Sequence, residues 1–193
     1  MRLKMKDFVL LALLTALYII VYFVAMMIIS LMGPFGHAIS PGVCGLLSGA
    51  ILIFISRKIG KMWQFTLMEL IIMGVFALVG AGYLPWFITS MIGAVLADVI
   101  ASTSNKPSVI KVAIASGLIH VGNALGGIIP ACFFAEQYMN EWIARGQKPD
   151  QMLEMVKATQ GVMGILGTVI TFILSVIGVY IGYSILKGHL KEN

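Results

Sequence analysis

The stretch FVLLALLTALYIIVYFVAMMIISLMGPFGHAISPG, residues 8–42, decides the fold. Phe8 to Leu31 carries no charge and is about one bilayer crossing long at ~1.5 Å rise per residue, so it reads as a transmembrane helix. Arg2, Lys4 and Lys6 stand before it, as they would before a signal peptide. The run is too long for one and has no small-residue cleavage site before Pro34, so it is kept as a mature helix. Ala12 and Ala16 lie four apart on one face of its first half, where two small side chains leave a shallow groove for another helix. Gly33-Pro34-Phe35-Gly36-His37 and Ser40-Pro41-Gly42 then predict a loop over residues 32–42 that holds an aromatic ring, Phe35, and an imidazole, His37.

The rest of the 193-residue chain agrees with this start. It is 60% hydrophobic and only 11% charged, with a mean hydropathy of +1.00, too little polar surface to cover a water-soluble domain. The apolar runs are continuous rather than alternating with period two, which favours a helical bundle over a membrane β-barrel. The expected fold class is therefore all-α: one polytopic membrane domain over residues 1–193. Nothing points to nucleic acid. Two cysteines, Cys44 and Cys132, exclude a disulfide scaffold and a cysteine-only zinc site; both fall near the same face, where a pair is conceivable.

Further apolar runs cover about Ile39 to Ile55, Trp63 to Val79, Trp86 to Ala101, Val109 to Ile129 and Gly161 to Leu186, giving six expected crossings. Gly80 to Pro85 is a sharp turn with an interfacial tyrosine, Tyr83. The second and fourth runs are short for a span and contain Gly45, Gly49 and Gly93, which serve helix packing or a cavity wall. Residues 130–160 form the one sizeable extramembrane piece. Phe133, Phe134, Tyr138, Trp142 and Ile143 recur at helical spacing, and Pro149-Asp150 opens a second pattern through Met152, Leu153 and Val156. Two short surface helices are expected there, as interfacial packing or as a lid.

Six crossings bring both termini to one side, and the basic residues orient them. Ten of the 13 fall on the side of the termini (Arg2, Lys4, Lys6, Arg57, Lys58, Lys61, Lys106, Lys111, Lys187 and Lys191); Arg145, Lys148 and Lys157 fall opposite. The excess places both termini in the cytoplasm and the 32–42 loop, the 80–85 turn and the 130–160 interval outside.

Ionisable groups inside a span are functional suspects. Glu69 has either a structural ion pair with Lys61, Lys106 or Lys111 or a role in gating; Asp98, close to the inner boundary, caps or snorkels, a structural role. His120 and Asn123 share one face of the fifth crossing, with Gly122, Gly126 and Gly127 leaving room for a ligand or another backbone beside them. His37 packs the loop, hydrogen-bonds a ligand, or ligates a metal such as haem iron. Ser116 and His120 are four apart, but no orienting third group or GxSxG turn accompanies them. HExxH, P-loop and paired-carboxylate motifs are missing from the sequence, as is any filter sequence of a channel.

Lys4-Met5-Lys6-Asp7-Phe8 leading into Ala12-Leu13-Leu14-Thr15-Ala16-Leu17-Tyr18, the glycine-proline loop, Arg57-Lys58 and the six-span topology together resemble the substrate-binding S components of energy-coupling factor (ECF) transporters, specifically the Trep_Strep group. That resemblance implies a bacterial cell-membrane protein that captures a vitamin or other micronutrient from outside. It further implies docking on a transmembrane coupling subunit carried by two ATPases, which use the ATP; no intrinsic cofactor is expected. Ala12 and Ala16 would form the docking face and the 32–42 loop the lid. The substrate would meet Phe35, His37, Tyr83, Trp86, Thr89, His120, Asn123, Gln160 and Met163. The substrate is expected to be vitamin-like or a haem or other tetrapyrrole, with His37 a metal contact only for haem. The competing class is a stand-alone intramembrane enzyme or channel.

Overall fold

The computed structural model describes residues 3–102 and 107–188. Its helices are α1 (Met5–Ser30), α2 (Gly36–Lys58), α3 (Gln64–Leu78), α4 (Leu84–Ala101), α5 (Val109–Phe133), α6 (Ala135–Ala144), α7 (Pro149–Thr159) and α8 (Gly161–Leu186). Five of these, α1, α2, α4, α5 and α8, are long and apolar enough to cross a membrane. The sixth expected crossing is α3, apolar but only 15 residues, about 22 Å at 1.5 Å per residue against a hydrocarbon core of about 30 Å.

The long helices and α3 close into a ring. α1 packs on α2 and α3, α3 on α4, α4 on α5, α5 on α8 and α8 back on α2, while α2 and α5 touch across the middle. Consequently α2 and α5 are the most buried of the candidate spans. α6 and α7 pair with each other across one end of the bundle, resting on α5, with α7 also meeting α2 and α8.

Without a hydrophobic drive between helices in lipid, close backbone approach holds such a bundle. The α2–α8 contact is made by Gly45 and Gly49 against Ser175, Gly178 and Val179, and a β-carbon on Gly49 would collide with the Gly178 carbonyl group. In the α4–α5 contact a β-carbon on Gly93 would stand 2.5 Å from the Leu118 carbonyl oxygen, and one on Gly122 2.6 Å from that of Thr89. Gly45, Gly49 and Gly93 are thus packing glycines, not cavity walls.

At the end away from α6 and α7, Asp98 caps α3. Its carboxylate accepts from the backbone N–H of Phe65 (3.2 Å) and Thr66 (2.8 Å), from the Thr66 hydroxyl (2.7 Å) and from Ser102 (2.6 Å). A negative group on the free N–H groups of a helix start is favourable, so the structural expectation for this residue holds. Lys61 joins Asp7 in an ion pair at 2.5 Å, which ties the α2–α3 connection to the start of α1.

Two expectations are corrected. The loop expected over residues 32–42 ends at Phe35, because α2 begins at Gly36 and runs through Pro41. The second is the cysteine pair: both thiols are free, Cys44 buried and Cys132 exposed. Arg2, the 103–106 segment with Lys106, and Lys191 lie outside the described residues, so the basic-residue orientation stays an expectation.

Candidate functional site

A cavity of about 700 Å³ opens at the end of the ring that carries α6 and α7. Its side wall is aromatic: Tyr22 and Phe23 of α1, Phe76 of α3 and Trp86 of α4. Phe76 stands edge-on to Trp86 (centroids 5.3 Å) and to Tyr22 (5.1 Å) and stacks with Phe23 (5.9 Å). These contacts fix the rings as a rigid apolar surface.

The floor is polar at one point. The Trp86 indole N–H donates to Asn123 Oδ1 (2.8 Å), the Ser90 hydroxyl donates to the same oxygen (3.1 Å), and Asn123 Nδ2 donates to the Ile119 carbonyl oxygen (3.0 Å). Three hydrogen bonds hold the amide, so it is a preset polar group in an apolar wall, as small-molecule sites employ. Gly126 lets α4 come this close, since a β-carbon there would stand 2.5 Å from the Trp86 Cα, and Gly127 leaves space beside the amide, with only the Tyr138 hydroxyl, at 3.5 Å, within reach of an added β-carbon.

The roof is α6 and α7, which contribute Tyr138, Trp142, Met152, Met155 and Glu154, with Gln147 and Gln151. Tyr83 packs on Tyr138 (5.5 Å) and Trp142 (5.8 Å). Arg145 clamps the assembly: its guanidinium lies over the Trp142 ring at 5.0 Å, donates to the Gly82 carbonyl oxygen (2.7 Å) and pairs with Glu141 (2.5 Å). Burial, with Glu141 nearby, pushes the Tyr83 phenol up to about 12, and burial pushes Tyr138 to about 12 as well. Both therefore stay protonated at neutral pH and keep an O–H to donate.

Of the expected site residues, the cavity gathers His37, Tyr83, Trp86 and Asn123. His37 comes from the first turn of α2 rather than from a loop. The other five lie elsewhere. Phe35 is half-buried just before α2, and Thr89 spends its hydroxyl on the Pro85 and Trp86 carbonyl oxygens of its own helix. Gln160 donates to the Ala131 carbonyl oxygen (2.7 Å), bracing the α7–α8 junction. Met163 is exposed on α8.

His120 is buried below the cavity. Its Nδ1 lies 2.7 Å from the Ser116 carbonyl oxygen, an acceptor only, so the proton sits on Nδ1. Nε2 then accepts from the Tyr18 hydroxyl at 2.9 Å, which ties α1 to α5.

Glu69 departs furthest from expectation. Of its expected partners, Lys61 is bound to Asp7, Lys111 is exposed and Lys106 lies outside the described residues. Glu69 is 1% exposed, and neither carboxyl oxygen has a hydrogen-bond partner among the described residues. Asn123 lies beside it without completing a hydrogen bond.

Among the described residues no cluster of three metal-ligating side chains occurs. Sequence reasoning missed Tyr22, Phe23, Met26 and Phe76, which look like ordinary lipid-facing or core residues in an all-apolar helix. The amphipathic pattern over residues 133–156 was the available signal for the roof.

A family model described as "Hypothetical bacterial integral membrane protein (Trep_Strep)" matches residues 5–192. No curated protein and no solved structure matches the chain.

Proposed function

Since the chain belongs to the Trep_Strep family of bacterial integral membrane proteins, we propose that it is the substrate-binding S component of an ECF-type importer. It captures a small organic micronutrient on the outside of the bacterial cell membrane and releases it inward, with both termini cytoplasmic. The observation that carries this reading is the cavity of about 700 Å³ at one end of the ring, roofed by α6 and α7. That size falls in the range of about 300–1,000 Å³ typical of small-molecule sites. The sequence has no nucleotide-binding motif, so active uptake needs a coupling subunit and two ATPases as partners. Ala12 and Ala16 are exposed on α1 and offer those partners a flat face for close helix approach.

Two substrate classes fit the resemblance, a vitamin-like heterocycle and a haem or other tetrapyrrole. The aromatic wall suits a planar ring system of either kind, and His37, which lines the cavity, is the histidine that would meet an iron. A hydrolase is the weaker reading. Ser116 and His120 are both about 1% exposed, neither lines the cavity, and His120 Nδ1 is occupied by the Ser116 backbone rather than poised as a base.

The test is uptake of radiolabelled micronutrients by cells that express the chain with and without an energising module. Uptake is expected only with the module, and is expected to vanish when the P-loop lysine of the ATPases is replaced. Uptake by the chain alone would overturn the proposal.

A further inference from the structure

We propose that Glu69 is the polar anchor for the substrate, and that the substrate is a net neutral or cationic nitrogen heterocycle that donates N–H hydrogen bonds, not an anion. The proposal deepens the importer reading, on which it rests for the direction of transport alone.

The first observation is the orphaned carboxyl group. Glu69 is 1% exposed, and both of its oxygens lack a hydrogen-bond partner among the described residues. Buried carboxyl groups are normally paired or fully hydrogen-bonded, so an unpaired one marks a place where a partner arrives from outside the chain. Asn123 of α5 lies beside it, and Tyr18 and Tyr22 of α1 and Cys44 of α2 share the same buried region. None of these is basic. A packing role would have supplied a cation or a set of donors, as the bundle does for Asp98 and for Asp7.

The second observation is position. Asn123 lines the cavity and lies beside Glu69, so the carboxyl group lies one side chain beneath the floor. Asn123 is committed on its oxygen to Trp86 and Ser90 and on one N–H to Ile119. A ligand N–H that reaches past this amide, which keeps its three hydrogen bonds, meets a carboxyl group with all of its acceptor sites open.

The third observation is charge. No lysine or arginine lines the cavity among the described residues; its ionisable lining groups are Tyr22, His37, Tyr83, Tyr138 and Glu154. Arg145, beside the roof, is already committed to Gly82, Glu141 and the Trp142 ring. With Glu69 at the floor, Glu154 in the roof and aromatic faces between, the site favours cations and N–H donors and leaves an anionic substrate without a counter-charge.

The experiment uses the purified full chain in nanodiscs, with thermal unfolding and binding measured against thiamine, adenine, riboflavin and haemin. At least one of the three nitrogen heterocycles is expected to raise the melting temperature of the native chain. In Glu69→Gln the melting temperature without ligand is expected to be unchanged or higher, while affinity for that heterocycle falls at least tenfold; Glu69→Asp should retain part of it. The proposal is overturned if Glu69→Gln and Glu69→Met both lower the ligand-free melting temperature, since the residue is then structural. It is equally overturned if Glu69→Gln binds as well as the native chain, if haemin alone stabilises, or if none of the four does. The measurement requires no coupling subunit or ATPase, so its failure and the failure of the importer reading are separate results.

Discussion

Gly49→Leu is expected to leave no folded protein in the membrane, measured as loss of the monodisperse peak after detergent extraction. A β-carbon there strikes the backbone of Gly178 and Val179, and backbone in a packed helix cannot turn aside as a side chain can. Even Gly49→Ala should cost about 3 kcal/mol, the upper end of ordinary overpacking, because it forces α2 and α8 apart along a shared seam. The matched control is Gly74→Ala in α3, where nothing lies within 4 Å of the added methyl. There the substitution should stabilise by about 0.5–1 kcal/mol through helix propensity alone. If Gly49→Ala and Gly74→Ala behave alike, the α2–α8 seam is not packed as described.

The second large effect concerns the outer face of α1. Ala12→Trp combined with Ala16→Trp should abolish association with the coupling subunit and ATPases while leaving ligand affinity within about twofold. Both alanines are exposed, among Val9, Leu13 and Leu17, so two indoles there meet no neighbour inside the bundle. They do prevent a partner helix from approaching along the small-residue groove. Co-purification of the tagged double variant with its partners, beside a binding isotherm on the isolated chain, checks both halves. Loss of ligand binding along with the complex would mean that this face belongs to the fold rather than to docking.

Much of the bundle was legible in the residues. Continuous apolar runs place all six long or medium helices to within four residues at either end, and the period-3.6 pattern over residues 133–156 anticipates α6 and α7. The misreadings came from proline. Pro41 and Pro130 read as helix boundaries, yet α2 and α5 run through them. A water-soluble helix ends there because its freed carbonyl groups can turn to solvent; in a packed membrane bundle neighbouring helices sustain the helix past the break. The expected loop thereby shrank and His37 became a helical residue.

The site was legible only in part, for a reason of depth. His120 and Asn123 are three residues apart on one face and equally plausible from the sequence. Asn123 reaches the cavity, while His120 is sealed beneath it against Tyr18. Which of two polar residues meets open space depends on where Gly126 and Trp86 let α4 and α5 touch, and spacing alone does not encode that. Glu69 is the converse case. Its charge marks it in the sequence, but Lys61, one of its expected partners, is taken by Asp7.

Affinity purification of the tagged chain from its native membrane, in mild detergent and with the bound proteins identified by mass spectrometry, tests the importer assignment most directly. The account predicts a coupling membrane subunit together with two ATPase subunits per chain. Recovery of the chain alone, from membranes in which such ATPases are abundant and intact, would contradict it.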